Sequence, residues 1–399
     1  MTALAATGFG IENLPYGVFS TDATGPRVGV AFTDQILDLT MIDAPEVPKG
    51  TFAAPSLNRF IALGRPTWTS LRERIVDLLT KGNVPDTALV PQAEAVLHLP
   101  FMVGDYVDFY SSIYHATNVG RLFRPDSEPL LPNWRHLPVG YHGRAGTVVV
   151  SGTGITRPAG QRRGLDGPPP EFGASLALDF ELEVGFVTGK ANLLGESVPV
   201  EDAEDHIFGL CLVNDWSARD LQAWEYQPLG PFLGKSFATS VSPWVVPLDA
   251  VSPYRVEPPT QDPEVLPYLR TEGPTAVDLQ LEVEIVPEGA AAGTVVTRTG
   301  FADMYWTMAQ QLAHTTVNGA TAKAGDLFAS GTVSGSEAGT LGSLLEITKN
   351  GAEPITLDDG SERAYLADGD EVTIRGWCES ADGPLISFGE CTGTVLPAP

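Results

Sequence analysis

The amino-acid sequence predicts a mostly β protein with some α-helix. Short runs rich in β-branched and aromatic residues recur along the chain, separated by Gly, Pro and Asp turns. Helical spacing of apolar residues occurs in only a few segments. No run approaches the ~18 consecutive apolar residues that a transmembrane helix needs, so a membrane-spanning protein is disfavoured.

Length and charge narrow the classes of function. The 399 residues suggest about two to three domains, and 24 basic against 50 acidic residues give a formal net charge of −26. Binding to nucleic acid or to an anionic membrane is therefore disfavoured, because both need clustered Lys and Arg. The acidity has two explanations that composition does not separate: a solvated surface, or carboxylates gathered around a cation.

Cysteines and the N-terminus indicate a cytoplasmic protein. The three cysteines are widely spaced, which disfavours a disulfide framework, and Cys211 lies in an apolar run typical of a buried thiol. Residues 1–9 lack the positive and apolar parts of a signal peptide.

Residues 1–98 are interpreted as a structural or docking domain without a catalytic cluster. Residues 68–81 have helical spacing, with Thr69 or Ser70 as the cap. Short strands joined by turns suggest a small β-barrel or roll. The predicted strands are 16–20, 27–32 and 36–39.

Residues 99–399 are predicted to form a rolled sheet or barrel with a few helices. A clear helix is predicted at 304–315 and a short one at 217–224. The Pro-rich segments 168–170 and 253–274 read as loops. The predicted strands are 147–150, 175–187, 210–213, 244–247, 277–285, 294–298, 371–377 and 391–395.

Acidic and apolar residues alternate through 177–186. In a strand this spacing places Asp179, Glu181 and Glu183 on one face. Adjacent carboxylates repel each other, so either water or a bound hard cation such as Mg²⁺ or Ca²⁺ should compensate them. The alternation alone leaves both readings open.

Two further carboxylates favour the cation. Asp215 ends an apolar strand-like run, and Asp108 lies among aromatic residues, where an unpaired acid is costly to bury. Together with Glu181 and Glu183 they could supply four oxygen ligands. The chain has no His/Cys cluster, which argues against zinc or iron.

Candidates for acid–base and anion-binding roles occur nearby in sequence. His115 or His142 could act as a general base, although a lone His is more often structural, and spacing does not choose between the two. Lys235 lies in a Gly/Phe-rich loop where a cation could stabilise an anion. Glu346 is a single acid in an apolar segment, which invites a partner such as His115.

Taken together, these motifs resemble the fumarylacetoacetate hydrolase superfamily. The resemblance spans residues 100–399 in order and is looser for 1–98. The motifs that carry it are Asp108-Phe-Tyr-Ser-Ser-x-x-His115, Leu137-Pro-Val-Gly-Tyr-His-Gly-Arg144, Glu181-x-Glu183, Asn214-Asp-Trp-Ser-Ala-Arg-Asp220, Pro231-Phe-Leu-Gly-Lys235 and Ser330-Gly-Thr-x-Ser-Gly335.

The resemblance implies a fold and a metal centre. It implies an SH3-like barrel at 1–98, a catalytic domain of the family's type at 99–399, and a homodimer. It implies a Ca²⁺ or Mg²⁺ site, and a second cation near Asp215, Lys235 and Thr239. The implied ligands of the first site are Asp108, Glu181, Glu183 and Asp215.

The resemblance also implies hydrolytic C–C cleavage of 4-fumarylacetoacetate, a small diketo-dicarboxylate, as the last step of tyrosine catabolism. His115 would be the general base, oriented by Glu346. Arg219, Gln222 and Lys235 would stabilise the oxyanion and the leaving group. The implied substrate contacts are Tyr110, Arg124, Tyr141, Gln222, Tyr226 and Thr332. Two alternatives stay open: another reaction of the superfamily, and a non-catalytic binding protein stabilised by metal.

Overall fold

A computed structural model describes residues 8–163, 169–381 and 383–399. The expected loop at 168–170 and the N-terminal segment 1–9 therefore lie partly outside the described residues. No helix within the described ranges is both long and apolar enough to cross a membrane.

Residues 8–100 of the described chain form five strands and two α-helices. The strands are β1 (Tyr16–Thr21), β2 (Thr24–Phe32), β3 (Gln35–Asp38), β4 (Leu89–Pro91) and β5 (Val96–His98). The helices are α1 (Asn58–Ile61) and α2 (Arg65–Thr80). The expected cap of the second helix at Thr69 or Ser70 is wrong. The helix starts a turn earlier, because Pro66 stands in its first turn, where a proline costs no hydrogen bond.

The rest of the described chain is strand-rich. Its strands are β6 (Tyr106–Phe109), β7 (Gly140–His142), β8 (Val148–Val150), β9 (Ile155–Thr156), β10 (Ala159–Arg162), β11 (Glu171–Ala174), β12 (Leu178–Asp179), β13 (Leu182–Thr188), β14 (Ile207–Asn214), β15 (Ser217–Ala218), β16 (Thr239–Val241), β17 (Trp244–Pro247), β18 (Arg255–Val256), β19 (Ala276–Val277), β20 (Gln280–Val286), β21 (Thr294–Gly300), β22 (Leu327–Ala329), β23 (Ile355–Thr356), β24 (Glu362–Arg363), β25 (Glu371–Cys378) and β26 (Ile386–Leu396). Its helices are α3 (Ile113–Phe123), α4 (Arg219–Glu225), α5 (Leu248–Val251), α6 (Met308–Thr316) and α7 (Leu344–Ile347).

The expected N-terminal barrel is not confirmed. Strands β4, β3, β2 and β1 lie side by side, and β1 continues onto β17 through the pairs Tyr16–Val245 and Gly17–Trp244. Strand β5 pairs with the other half of β1. Because the outer edge of β1 is divided between β5 and β17, these strands extend a larger sheet. No closed barrel is found among the strands that the structure describes.

The large sheet has thirteen strands. Its main path runs β4-β3-β2-β1-β17-β14-β13-β22-β6-β7. The central strands β13 and β14 are buried along their whole length, as expected for strands covered on both faces. This architecture is mixed α/β and strand-rich.

Each face of the central strands has its own apolar core. Side chains such as Leu182 and Leu212 join a core with a second sheet of order β21-β20-β25-β26-β9. Side chains such as Val187 and Val213 share the other core with the N-terminal segment. On that side Phe208 of β14 lies 5.2 Å from Trp68 of α2, measured between ring centroids. All three cysteines are free and Cys211 is buried, as the sequence predicts, and Cys378 and Cys391 are buried as well.

Candidate active site

The sheet order concentrates polar side chains at one end of the central strands. Asp108 lies in β6, Glu183 in β13 and Asp215 directly after β14, and β22 separates β13 from β6. Next to them opens a cavity of about 440 Å³, a size common for small-molecule sites. The cavity wall contains most of the residues that the resemblance implied. Those on the wall are Asp108, Tyr110, His115, Arg124, Tyr141, Glu181, Arg219, Gln222, Tyr226, Lys235 and Thr332.

The alternating segment does not form one continuous strand. Strand β12 ends at Asp179 and β13 begins at Leu182, so Phe180 and Glu181 fall in a break between two different pairings. Asp179, Glu181 and Glu183 are all buried, which excludes the solvated face that the sequence left open. The break gives each of the three carboxylates its own set of partners.

Asp108, Glu183 and Asp215 form a carboxylate cluster. One oxygen from each lies within 4.8 Å of the others, and all three residues are buried. Within the described residues, Asp108 Oδ1 and Glu183 Oε1 have no hydrogen-bond partner. Burial, and then the neighbouring carboxylates, raise the pKa values of Asp108 and Glu183 well above their usual range. Buried acceptors without donors fit a hard divalent cation, which takes carboxylate oxygens as ligands.

Glu181 differs from this cluster because two cations contact it. Its Oε1 lies 2.5 Å from Arg219 Nη1 and 2.7 Å from Lys235 Nζ. Thr332 Oγ1 donates to its other oxygen over 2.9 Å. Burial would raise the pKa of Glu181, but Arg219 and Lys235 outweigh it and hold that pKa well below its usual range. Glu181 is therefore ionised at the boundary between the carboxylate cluster and the cavity.

Lys235 and Thr239 both contact Asp215. Lys235 Nζ lies 2.6 Å from Asp215 Oδ2, and Thr239 Oγ1 donates to Oδ1 over 2.9 Å. A lysine ammonium has no acceptor, so Lys235 can lie beside a cation only as a neighbouring charge. The second cation near these residues stays a prediction.

A Gly/Ser turn contacts the carboxylate cluster through Gly331. Gly331 has φ +78°, and a Cβ atom there would lie 2.2 Å from the carbonyl oxygen of Phe109, so no other residue fits. The Gly331 N–H donates to Glu183 Oε2 over 3.1 Å. The turn therefore holds a carboxyl group of the chain itself.

His115 and Glu346 form a buried pair at the cavity wall. Helix α3 begins at Ile113, and the Ser112 side chain caps it by accepting the His115 N–H, which fixes the histidine in the first turn. His115 Nδ1 lies 2.7 Å from Glu346 Oε2. Burial opposes ionisation of Glu346, but His115 and the side-chain donors around it lower its pKa. This pairing leaves Nε2 as the ring nitrogen that can take up a proton. His142, the other candidate base, is exposed in β7 and lies outside the cavity wall.

Sequence reasoning missed the residues that hold Glu346. Asn118 Nδ2 donates to Oε1 over 2.9 Å, and Ser334 and Ser343 donate to Oε2 over the same distance. Asn118 shares a helix face with His115 at a spacing of three, which was an available signal. The serines carry no such local signal.

The anion-stabilising candidates line the same cavity as the histidine. Arg219 and Gln222 occupy one face of α4, and Arg219 Nη1 donates to Gln222 Oε1 over 3.2 Å. Within the part of the chain described, Arg219 Nη2 has no partner although it is buried. Nearby charged carboxylates outweigh burial and raise the Arg219 and Lys235 pKa values, so both side chains are cationic.

Two models of one protein family match most of this chain. Residues 106–396 match the family model described as fumarylacetoacetate (FAA) hydrolase C-terminal, and residues 12–100 match fumarylacetoacetase N-terminal. Fumarylacetoacetase of Caenorhabditis elegans is 53% identical over 98% of this chain and 97% of the relative. The human fumarylacetoacetase is 52% identical over 98% and 96%.

A solved structure supports the fold. Maleylpyruvate hydrolase from Sphingobium sp. SYK-6, in complex with manganese (II) ion and pyruvate, has a TM-score of 0.54 at 16% identity. The alignment covers 97% of this chain and all of that one. At this identity the likeness concerns the fold alone.

Proposed function

Because this chain belongs to the fumarylacetoacetate hydrolase family, we propose that it hydrolyses 4-fumarylacetoacetate to fumarate and acetoacetate, as in tyrosine catabolism. The observation that carries this proposal is that His115, paired with the buried Glu346, lines one cavity together with Arg219, Lys235 and Asp108 of the carboxylate cluster. A general base, an anion site and a place for a cation are the groups that a water-driven C–C cleavage needs.

His115 would activate water. Glu346 would accept a hydrogen bond from the Nδ1–H of His115 and so fix the tautomer in which Nε2 is free to accept a proton. A water molecule in the cavity would lose a proton to Nε2, and the resulting hydroxide would attack the carbonyl carbon on the fumaryl side.

Arg219, Gln222 and Lys235 would stabilise the charge that develops. Arg219 lines the cavity, and its Nη2 is buried without a partner in the described structure. A fixed donor of this kind costs no reorganisation when the oxyanion forms. Collapse of this oxyanion breaks the C–C bond, and the electron pair passes to the acetoacetate carbon as an enolate. This carbon then takes up one proton, so the net change is the addition of one water.

The carboxylate cluster, with Glu181 beside it, would hold a divalent cation, for which we propose Mg²⁺ or Ca²⁺. When bound, the cation supplies Lewis-acid polarisation of the diketone oxygens. The unpartnered oxygens of Asp108 and Glu183 support this assignment, since both are oxygen ligands of the kind that hard cations prefer.

The remaining cavity side chains would orient the substrate. Arg124 Nε is buried without a partner among the described residues, which suits it to receive a substrate carboxylate. Tyr110, Tyr141, Tyr226 and Thr332 line the same cavity. We further propose that the enzyme is a cytoplasmic homodimer and that a domain boundary lies near residue 98.

The experiment is a spectroscopic assay with the purified full-length protein. The conjugated diketone of 4-fumarylacetoacetate absorbs strongly, and its absorbance should fall when enzyme is added, stop falling after chelation, and resume after Mg²⁺ or Ca²⁺ is restored. An unchanged spectrum with metal-loaded protein would overturn the proposal. Chelator-insensitive turnover would overturn the metal assignment.

A further inference from the structure

One buried carboxylate beside the site is not accounted for by the proposed reaction. Asp179 is fully buried and is the last residue of β12. It pairs with Ser217 of β15, which precedes Arg219 by two residues. It is not part of the carboxylate cluster and does not lie on the cavity wall. Its role therefore cannot be contact with substrate.

Both oxygens of Asp179 are fixed by the start of helix α7. The Leu344 N–H donates to Oδ1 over 2.8 Å, and the Leu345 N–H donates to Oδ2 over 3.0 Å. These two N–H groups have no partner inside the helix, so the carboxylate satisfies donors that would otherwise be buried and free. The same short helix carries Glu346.

The third donor to Asp179 is the guanidinium of Arg219. Arg219 Nε donates to Oδ2 over 2.8 Å, while Nη1 contacts Glu181. A guanidinium held at two of its nitrogens by two carboxylates has its plane fixed, because the group is rigid. The remaining nitrogen, Nη2, is buried without a partner in the described structure, and Arg219 is one of the residues that line the cavity.

We propose that Asp179 is a positioning residue, which aims Arg219 at the developing oxyanion by anchoring it to the N-terminus of α7. Through Asp179, Arg219 is linked to the helix that bears Glu346. The inference rests on the proposed function, since it assigns Asp179 a part in that reaction.

The test compares Asp179→Asn with a matched control, Asp370→Asn. Asp370 is equally buried and also holds an arginine and a backbone N–H, through Arg363 and Ala367, but it lies away from the cavity wall. Both variants should lose thermal stability and keep bound cation. Only Asp179→Asn should lower kcat, by on the order of 10- to 100-fold, with a much smaller change in KM.

A double-mutant cycle separates positioning from general damage. If Asp179 acts through Arg219, the kcat loss from Asp179→Asn should shrink several-fold in an Arg219→Met background. An equal loss in both backgrounds, or a kcat no lower than that of Asp370→Asn, would overturn the inference. If Asp179→Asn does not fold, Asp179→Glu, which keeps the charge but displaces it, takes its place with the same expected direction. The wild-type enzyme in the same assays distinguishes failure of the proposed function from failure of this inference. Absence of wild-type turnover would count against the proposed function and not against the role of Asp179.

Discussion

His115 Nδ1 and Glu346 Oε2 lie 2.7 Å apart although 231 residues separate them in the chain. Glu346→Gln should keep the shape of the pair but remove its charge and its control over the tautomer. We expect kcat to fall on the order of 10²- to 10⁴-fold, as when the acid that orients a catalytic histidine is neutralised. Steady-state kinetics on metal-loaded protein measures this change.

His115→Ala should abolish hydrolysis while the fold and the metal content stay intact. His98→Ala is the matched control, since the His98 ring forms a hydrogen bond with Ser20 and His98 is not among the residues that line the cavity. Substantial turnover by His115→Ala, or an equal loss in His98→Ala, would contradict the general-base role.

Glu183→Gln should reduce the bound divalent cation, because it replaces one oxygen of the carboxylate cluster by an amide nitrogen that cannot ligate. Glu181→Gln should also lose cation, although Arg219 and Lys235 already contact Glu181. Asp326→Asn provides the control, a buried carboxylate that binds backbone N–H groups elsewhere. Elemental analysis after gel filtration gives the result. Full metal occupancy in Glu183→Gln would refute the ligand assignment.

Chelation should lower thermal stability more at high pH than at low pH. In the cation-free protein the pKa values of Asp108 and Glu183 are raised by burial and by like charges. A raised folded-state pKa gives stability that is complete below the unfolded pKa and is lost as pH rises through the folded pKa. A bound cation would prevent that loss.

Melting curves near pH 5.5 and near pH 8, with and without chelator, test this pH dependence. A cation at a hundred times its Kd stabilises by about 2.7 kcal/mol, so a shift of a few degrees should be visible at the higher pH. A chelator-induced shift that is the same or larger at the lower pH would oppose the assignment of the cluster as a cation site.

Arg124→Met should raise KM for the dicarboxylate by about 10- to 100-fold, because a charge-assisted hydrogen bond to the substrate is lost. Arg124 Nη2 donates to the carbonyl of Pro129, which leaves Nε for a ligand. Arg135→Met is the control, because Arg135 also donates to a backbone carbonyl, that of Asp262, but does not line the cavity. The KM of this variant should equal that of the wild type. Equal KM values for the two variants would argue against carboxylate binding by Arg124.

Local pattern predicted the strands well and the sheet connections poorly. The run at 244–247 forms β17 as expected, since a short apolar stretch between turns has few alternatives. Nothing local in Tyr16 or Gly17 indicated that β1 would pair with Trp244 and Val245 and so continue the main sheet. The pairing of strands that are far apart in sequence depends on the whole core. Local pattern therefore could not show that these strands extend the main sheet, and the expected barrel is not confirmed.

In the candidate site, too, local sequence predicted some residues and could not predict contacts that depend on the tertiary structure. Residue type and context identified His115 and Glu181, and the structure brings both to one cavity. Period-two spacing grouped Asp179 with Glu183, but a break after Asp179 directs it to Arg219 and α7 instead. Ser334 and Ser343 contact Glu346 only because the fold closes there. Side chains that meet only in the tertiary structure leave no periodic pattern in the sequence.

The most direct measurement is identification of the products by NMR after the metal-loaded enzyme has consumed 4-fumarylacetoacetate. Attack of hydroxide on the fumaryl-side carbonyl predicts fumarate and acetoacetate in equal amounts. Attack on the other ketone would instead give malonate and 4-oxopent-2-enoate. Those products, or an isomer of the substrate without cleavage, would contradict the account.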